Sequence, residues 1–313
     1  LPLVTAAGGY VNSLWLFLGI WLLTVFTAFL LLEVTLWLPE ETNLISMARA
    51  TLGWPGRLVT WLVYLLLLYS LLSAYISGGS DLLRGILAAF HLHMPEWVAV
   101  LLFTALLGAV VYHDIAVVDW TNRVLMVAKM SAYLILVILI TPYVRIKNLL
   151  GGHFMLLSTA LMVVVTSFGY SVIIPSLRRY FKSDIKALRL TIALGSLGAL
   201  LCYLFWDFVV QGSIASSGAM GLINIAASGH ATSKLTSVLS TELANEAISV
   251  SAHIFTSVCV TTSFLGVSLC LSDFLTDGMQ VRRQGWHRWL VMGVTFLPPL
   301  TVVLIDPSAF IMG

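Results

Sequence analysis

Charged side chains are scarce in this sequence. Only 10% of the 313 residues are Asp, Glu, Lys or Arg, whereas about a quarter of the residues in an ordinary soluble domain are charged. The formal net charge is +2, and no basic face is offered to phosphate groups, so a nucleic-acid partner is not expected. The chain also contains no soluble catalytic domain and no Gly/Ser-rich linker.

Cysteine is rare as well, and the spacings typical of metal sites are missing. The three cysteines, Cys202, Cys259 and Cys270, lie in apolar stretches without a CxxC motif and without a histidine nearby at ligand spacing. Free thiols buried in helices are the simplest interpretation of such residues. The sequence therefore predicts neither a metal site nor a cofactor.

What the sequence has in excess is apolar surface. Hydrophobic residues make up 59% of the chain and the mean hydropathy is +0.99, which requires lipid as the solvent for much of the surface. A membrane helix needs about 20 apolar residues, and eight stretches qualify, so we predict an all-α polytopic membrane protein with one domain over residues 1–313. The predicted spans are residues 14–38, 58–80, 97–112, 124–141, 154–177, 188–210, 250–271 and 289–305.

Three further segments carry expectations of their own. Residues 1–7 and 309–313 are apolar but too short to cross a membrane, and the first residue is not Met. We read both as cut helices, which predicts that the sequence is a fragment of a longer chain. Residues 233–246 are rich in Thr, Glu and Asn and are predicted to form a helix on the membrane surface.

Basic residues fall unevenly on the two sides of the membrane. If the loop after the first full span is cytoplasmic and the sides then alternate, eleven basic residues lie on the cytoplasmic side and four on the other. The eleven are Arg49, Arg57, Arg123, Arg178, Arg179, Lys182, Lys186, Arg189, Arg282, Arg283 and Arg288. The four are Arg84, Arg145, Lys147 and Lys234. Because short cytoplasmic loops are enriched in Lys and Arg, residues 10–13 are expected to face outward.

Each charge inside a span needs a reason, because hydrocarbon solvates charges poorly. Lys129 lies about two turns into its span, where it either extends to the cytoplasmic interface or acts as a buried ammonium that replaces a cation or exchanges a proton. Glu33 and Asp207 lie near the ends of their spans, where interfacial solvation competes with a role in proton relay. His253 opens a span and either bonds a neighbouring carbonyl or titrates near neutral pH.

The centre of the stretch 154–177 contains the sequence Thr-Ser-Phe-Gly-Tyr-Ser at residues 166–171, followed by Pro175. Small residues and proline give a helix a place to unwind, and unwound backbone at membrane depth is tolerated where it is buried or lines a cavity. Such discontinuous helices bind substrates and ions in transporters. The alternative is a kinked packing helix that uses small residues for close contact. Pro2 stands in a setting comparable to that of Pro175, which suggests an inverted repeat.

Short motifs in a specific order resemble one known family, the bacterial tyrosine and tryptophan permeases of the amino acid–polyamine–organocation superfamily. The motifs are residues 30–34, 74–78, 118–119 with 122–123 and Lys129, 166–169 with 172–176, 212–214, 252–255, 262–267 and 295–299. The resemblance covers essentially the whole chain. It implies a multi-pass protein of the bacterial inner membrane with a partial LeuT-type inverted-repeat fold, from the second half of helix 1 to the start of helix 10.

The resemblance also implies a function, the import of an aromatic amino acid together with a proton by alternating access. Residues 73–79 and 81–83 favour tyrosine as the substrate, although Tyr170 also suits the tryptophan branch. The glycine-rich segment by which the family's first helix helps to bind substrate is missing from this sequence. The partners implied are the amino acid, the proton and the lipid bilayer.

Residue roles follow from the same resemblance. The implied substrate-binding residues are Thr166, Ser167, Phe168, Gly169 and Tyr170 in the interrupted helix, with Tyr75 and Tyr69 in the third helix. The implied proton-coupling residue is Lys129, which matches a lysine that takes the place of a sodium ion in related proton-driven carriers, with Glu33 and Asp207 as alternatives. Thr262 and Ser263 are expected to lie opposite Lys129, as parts of a site resembling a cation site.

Other classes of function remain open at this point. An intramembrane enzyme would need a positioned nucleophile, a metal triad or a carboxylate pair, and the sequence has no HExxH and no GxSxG motif. A channel would need a recognisable selectivity filter or pore helix, and the sequence shows neither pattern. A transport-inactive remnant or a sensor descended from a carrier is the principal alternative.

Overall fold

The computed structural model describes residues 1–39, 44–89, 91–113, 115–181, 184–218, 220–227, 235, 238–239, 246–279 and 286–305. Within these residues every regular element is helical and no strand occurs. The predicted fold class, an all-α polytopic membrane protein, is confirmed. Of the surface helix predicted over residues 233–246, only 235, 238, 239 and 246 are described, and the apolar segment 309–313 lies outside the described residues.

Twelve α-helices are described, and we number them in chain order. They are α1 (Pro2–Thr5), α2 (Tyr10–Leu36), α3 (Leu44–Ala89), α4 (Glu96–His113), α5 (Ile115–Ile140), α6 (Ile146–Leu149), α7 (Ser158–Ser167), α8 (Ile174–Phe181), α9 (Ile185–Ser213), α10 (Leu222–Ala226), α11 (Glu246–Gly278) and α12 (Trp286–Ile305). Short 3₁₀ turns occupy Thr141–Tyr143, Phe154–Leu157 and Tyr170–Ile173.

Among the described residues, six helices are long and apolar enough to cross a membrane, namely α2, α3, α5, α9, α11 and α12. The apolar helices Glu96–Tyr112 and Phe154–Ser167 are shorter. Each predicted span overlaps one of these eight helices, but the count of complete spans and the single domain stay predictions. The helix α3 begins earlier than its predicted span, and Gly53, with φ of 73° and ψ of −158°, bends it next to Pro55.

The chain forms two compact units. The first unit comprises Leu1–Leu62 with Val137–Ala231, and the second comprises Val63–Leu136 with Thr232–Gly313. Each unit therefore joins segments that are distant in sequence.

The first unit is built on the packing of α2 against α9. The buried residues of α2 recur every three or four positions, as on one face of a helix. Two apolar clusters result, and both include residues from the interrupted stretch 154–177. One cluster contains Phe17, Ile20, Val164, Phe168 and Leu200. The other contains Ala28, Leu32, Ile174, Leu188 and Ile192.

The second unit is built on contacts among α4, α11 and α12. Three phenylalanine rings link these helices. The ring centroids of Phe103 and Phe264 are 5.4 Å apart in an edge-to-face contact, and those of Phe264 and Phe296 are 5.7 Å apart in a stacked contact. Aromatic pairs in these geometries add to the stability that burial of the rings provides.

Candidate functional site

The helix predicted to be interrupted is broken in the structure. The helix α7 ends at Ser167, a 3₁₀ turn runs from Tyr170 to Ile173, and α8 begins at Ile174. Between them, Phe168 and Gly169 have ψ angles of 20° and 31°, outside the α-helical range. The Gly169 N–H donates to the Thr166 carbonyl at 3.1 Å and the Tyr170 N–H to the Phe168 carbonyl at 2.9 Å, so the backbone leaves the regular helical ladder here.

The helix α9 holds this break in place. Phe168 is fully buried in the first apolar cluster, and its ring meets the Tyr203 ring edge-to-face with centroids 5.1 Å apart. The Tyr203 hydroxyl also donates to the Ser167 carbonyl at 2.9 Å. The last carbonyls of a helix have no partner within the helix. The Tyr203 hydroxyl is the donor for one of these carbonyls, that of Ser167.

The hydroxyl groups at the end of α7 bond to their own helix. Thr166 Oγ1 donates to the carbonyls of Met162 or Val163, both at 3.0 Å, and Ser167 Oγ donates to the Val163 carbonyl. Thr166 and Gly169 are exposed, whereas Tyr170 is half-buried and packs against the second apolar cluster. Five of the predicted substrate residues thus lie in the first unit, around the break.

The other predicted substrate residues, Tyr69 and Tyr75, lie on α3 in the second unit. The Tyr75 hydroxyl is within hydrogen-bonding reach of Ser263 on α11. The structure therefore brings together one residue predicted to bind substrate and one predicted to belong to a cation-like site.

The hydroxyl of Tyr69 has a different partner. It donates to the Val294 carbonyl of α12 at 2.7 Å. In a regular helix that carbonyl would accept from residue 298, but residue 298 is a proline and has no N–H. Tyr69 therefore satisfies the carbonyl that Pro298 leaves without a donor.

Lys129 is half-buried on α5, and its ammonium group interacts electrostatically with the Cys259 thiol of α11. The Thr262 hydroxyl donates to the Cys259 carbonyl at 2.9 Å. Because residues three and four apart share a helix face, Cys259, Thr262 and Ser263 lie on one side of α11. The second unit thus places Lys129 beside α11, one turn from the two predicted hydroxyl residues.

Asp207 is the fully buried carboxylate of the first unit's described residues, with 0% of its surface exposed. Thr5 Oγ1 donates to its Oδ1 at 2.8 Å, and Gln211 Nε2 donates to its Oδ2 at 2.8 Å. Gln211 Nε2 also donates to Thr5 Oγ1 at 3.0 Å. Interfacial solvation, the expectation drawn from the position of Asp207 near a span end, is wrong because α1 covers this part of α9.

The comparison with known proteins decides the class of the chain. Residues 1–313 match the tryptophan/tyrosine permease family. The chain belongs to this family.

Three curated relatives illustrate the range of the family. The tyrosine-specific transport system 1 of Haemophilus influenzae is 30% identical, over 100% of this chain and 78% of its own length. The glutamine transporter 2 of Aliivibrio fischeri is 33% identical, over 96% and 75%. The tryptophan-specific transport protein of Pseudomonas aeruginosa is 28% identical, over 99% and 76%. No solved structure matches the chain.

Family membership confirms several predictions. The permease is a transporter and not an enzyme. It is a multi-pass protein of the bacterial inner membrane, as its family and the six long apolar helices among the described residues indicate.

Glu33, the remaining charged residue that was considered for proton coupling, lies at the surface of the permease. Its carboxylate is 3.9 Å from the guanidinium of Arg189 on α9, and both side chains are about half exposed. Exposed ion pairs of this kind contribute little to stability. His253, near the start of α11, is also exposed.

Reasoning from the sequence missed the partners of Asp207. Gln211 follows Asp207 by four residues on α9 and therefore shares its helix face, a signal that was legible in the sequence. Thr5 is 202 residues away in sequence, and only the tertiary structure brings it to the carboxylate.

Proposed function

We propose that this permease imports an aromatic amino acid, with tyrosine favoured over tryptophan, by proton symport with alternating access in a LeuT-type fold. The substrate class is supported by relatives that align with nearly all of the chain, two of which are a tyrosine-specific and a tryptophan-specific transporter. The observation that carries the proposal is the helix break at Phe168 and Gly169 in a chain of this family.

In the first unit, the break offers the substrate polar backbone groups without a long polar side chain. An aromatic substrate is bound best by a mainly apolar pocket with a few placed polar groups. Thr166 and Gly169 are exposed at the break, and we assign their backbone carbonyl oxygens, each of which can accept more than one hydrogen bond, to the amino group of the amino acid. Phe168 contributes through its backbone, since its ring is buried in the cluster that anchors the break.

In the second unit, the hydroxyl groups of Tyr75 and Ser263 form a pair between α3 and α11. The amine of Lys129 lies beside α11 in the same unit. A positive charge at this position takes the place of a bound metal cation, so transport needs no sodium. Lys129 is the leading coupling residue of the proposed symport, because its ammonium group lies beside Cys259, one turn from Thr262 and Ser263 on α11. Tyr69 supports α12 instead of the substrate, because its hydroxyl is already bonded to Val294.

The test uses the complete gene product in proteoliposomes. Uptake of radiolabelled tyrosine is followed under an imposed inward proton gradient, with and without sodium, for wild type, Lys129→Ala and the control Lys186→Ala. Lys186 is exposed at the start of α9, so its removal changes the same charge away from α11. We expect uptake that needs the proton gradient, ignores sodium and is lost in Lys129→Ala only.

Competition by unlabelled amino acids tests the substrate. Tyrosine and tryptophan are expected to compete, whereas glutamine, the substrate named for one relative, is expected not to compete. Sodium-dependent uptake would refute the proton symport, and proton-driven uptake that survives in Lys129→Ala would refute the role of the lysine. A folded wild type that takes up none of the aromatic amino acids would refute the proposed substrate class.

A further inference from the structure

Asp207 has no assigned role in the substrate site, yet it lies where burial makes a charge most costly in the first unit. Its carboxylate is completely buried within a membrane-spanning helix. The side chains that bond to it, Thr5 and Gln211, are both uncharged. A buried charge without an opposite charge is costly, and ionisable groups in such positions inside membranes are usually functional.

The hydrogen bonds around the carboxylate are complete when it is ionised. Oδ1 accepts from the Thr5 hydroxyl and Oδ2 accepts from Gln211 Nε2, each at 2.8 Å. The second N–H of the Gln211 amide donates to Thr5 Oγ1 at 3.0 Å. An amide group has two such hydrogens and a hydroxyl group has one, so every donor in this cluster is used.

The same atoms also satisfy the protonated form. A proton on Oδ1 would be donated to Thr5 Oγ1 along the existing 2.8 Å separation. The Thr5 hydroxyl hydrogen then turns to the Leu1 carbonyl, which lies 3.2 Å from Thr5 Oγ1. The Thr5 oxygen has two lone pairs, one for the Asp207 proton and one for the Gln211 amide. One proton can therefore enter or leave this cluster while no buried polar group loses its partner.

Other titratable groups near the carboxylate are few. Its charge interactions among the described residues are with the Tyr10 hydroxyl of α2 and the α-amino group of Leu1, a nitrogen that is an uncharged amide in any chain extended before Leu1. The other elements packed against α9 include α6, α8, the turn Thr141–Tyr143 and the helix break between α7 and α8. Their titratable groups include Lys147, Arg178, which binds the Leu38 carbonyl, Tyr143 and Tyr170.

We propose that Asp207 is a second proton-binding group of the permease, required for substrate accumulation, and that Thr5 and Gln211 position it. This inference rests on the proposed proton symport. Asp207 lies in the outer part of α9 when residues 10–13 face outward, so it would take its proton from the outside. Thr5 belongs to α1 and Asp207 to α9, and the bound proton therefore changes the bond that joins these two helices.

The experiment separates coupling from substrate handling. Wild type, Asp207→Asn and the control Asp184→Asn are reconstituted, and two quantities are measured with radiolabelled tyrosine. One is exchange with equal tyrosine on both sides and no gradient. The other is accumulation under an inward proton gradient. Asp184→Asn removes the same charge by the same substitution from an exposed carboxylate at the start of α9, where an asparagine side chain can still accept from the Ala187 N–H.

We expect Asp207→Asn to exchange tyrosine but to lose gradient-driven accumulation, while Asp184→Asn retains both. Accumulation by Asp207→Asn at the wild-type level would overturn the inference. So would the joint loss of exchange and accumulation in a folded Asp207→Asn, since that result indicates a general structural role.

A direct readout of the proton needs no transport. Infrared difference spectra of the purified permease between mildly acidic and mildly alkaline buffer should show the C=O band of a protonated carboxyl group. The band is expected to disappear in Asp207→Asn and to remain in Asp184→Asn. Should Asp207→Asn not fold, Asp207→Glu is expected to shift the band. A spectrum unchanged by these Asp207 variants would overturn the inference, whereas absent proton-driven uptake in wild type with the band present would refute only the proposed function.

Discussion

The hydroxyl of Tyr69 on α3 lies 2.7 Å from the carbonyl oxygen of Val294 on α12, at the point where Pro298 removes the N–H that this carbonyl would otherwise bind. A buried carbonyl without a donor costs about 1–3 kcal/mol. The bond between Tyr69 and Val294 therefore compensates for a proline within a membrane-spanning helix.

Tyr69→Phe tests this compensation. The substitution is expected to destabilise the permease by about 1–3 kcal/mol and to lower its apparent Tm in detergent, with little change in the KM for substrate. In a Pro298→Ala background the restored N–H can bind Val294, so the same substitution should cost less there. Equal costs in both backgrounds would contradict this role, and a raised KM at unchanged Tm would return Tyr69 to the substrate site.

Tyr203→Phe isolates the bond that anchors the helix break. The variant keeps the ring contact with Phe168 but loses the donor to the Ser167 carbonyl, a loss worth about 0.5–1.5 kcal/mol. We expect a lower Tm and faster hydrogen exchange of the amides after Ser167. Tyr180→Phe is the matched control, because Tyr180 is 80% exposed. Unchanged exchange around the break would show that packing alone holds it.

Gly169→Ala tests how closely the backbone approaches itself at the break. An added Cβ would lie 3.0 Å from the Thr166 carbonyl oxygen, and relieving such an overlap costs about 1–3 kcal/mol. We expect uptake to fall while the protein still reaches the membrane. In Gly198→Ala, a control within α9, the added Cβ meets nothing within 4 Å, and activity should remain. Equal uptake by both variants would contradict the expectation.

Arg178 is an unusual buried cation, with 8% of its surface exposed. Its Nη1 donates to the Leu38 carbonyl at 2.8 Å, just beyond the end of α2. Arg178→Met should cost about 1–3 kcal/mol, because the carbonyl then lacks this donor. Arg189→Met, which removes an arginine from an exposed ion pair, should cost less than about 1 kcal/mol. Thermal unfolding of both variants measures the difference, and similar Tm values would refute it.

The sequence by itself determined the class of the protein and much of its local structure. Sparse charge and long apolar runs leave helices in lipid as the stable solution, because each helix satisfies its own backbone hydrogen bonds. The small residues and proline between 166 and 176 likewise predicted the interruption that separates α7 from α8. These features depend on composition and on neighbours within a few residues.

Only the tertiary structure decided which polar groups meet. Asp207 reads in sequence as an interfacial residue, yet Thr5, 202 residues away, covers it, and the Tyr69 hydroxyl finds its acceptor 225 residues away. A buried polar group must find a partner wherever the packing of helices supplies one, and that packing is not written in the spacing of residues along one helix. The sequence determined that this chain spans the membrane. The packing of the helices determined which of its few polar side chains come into contact within it.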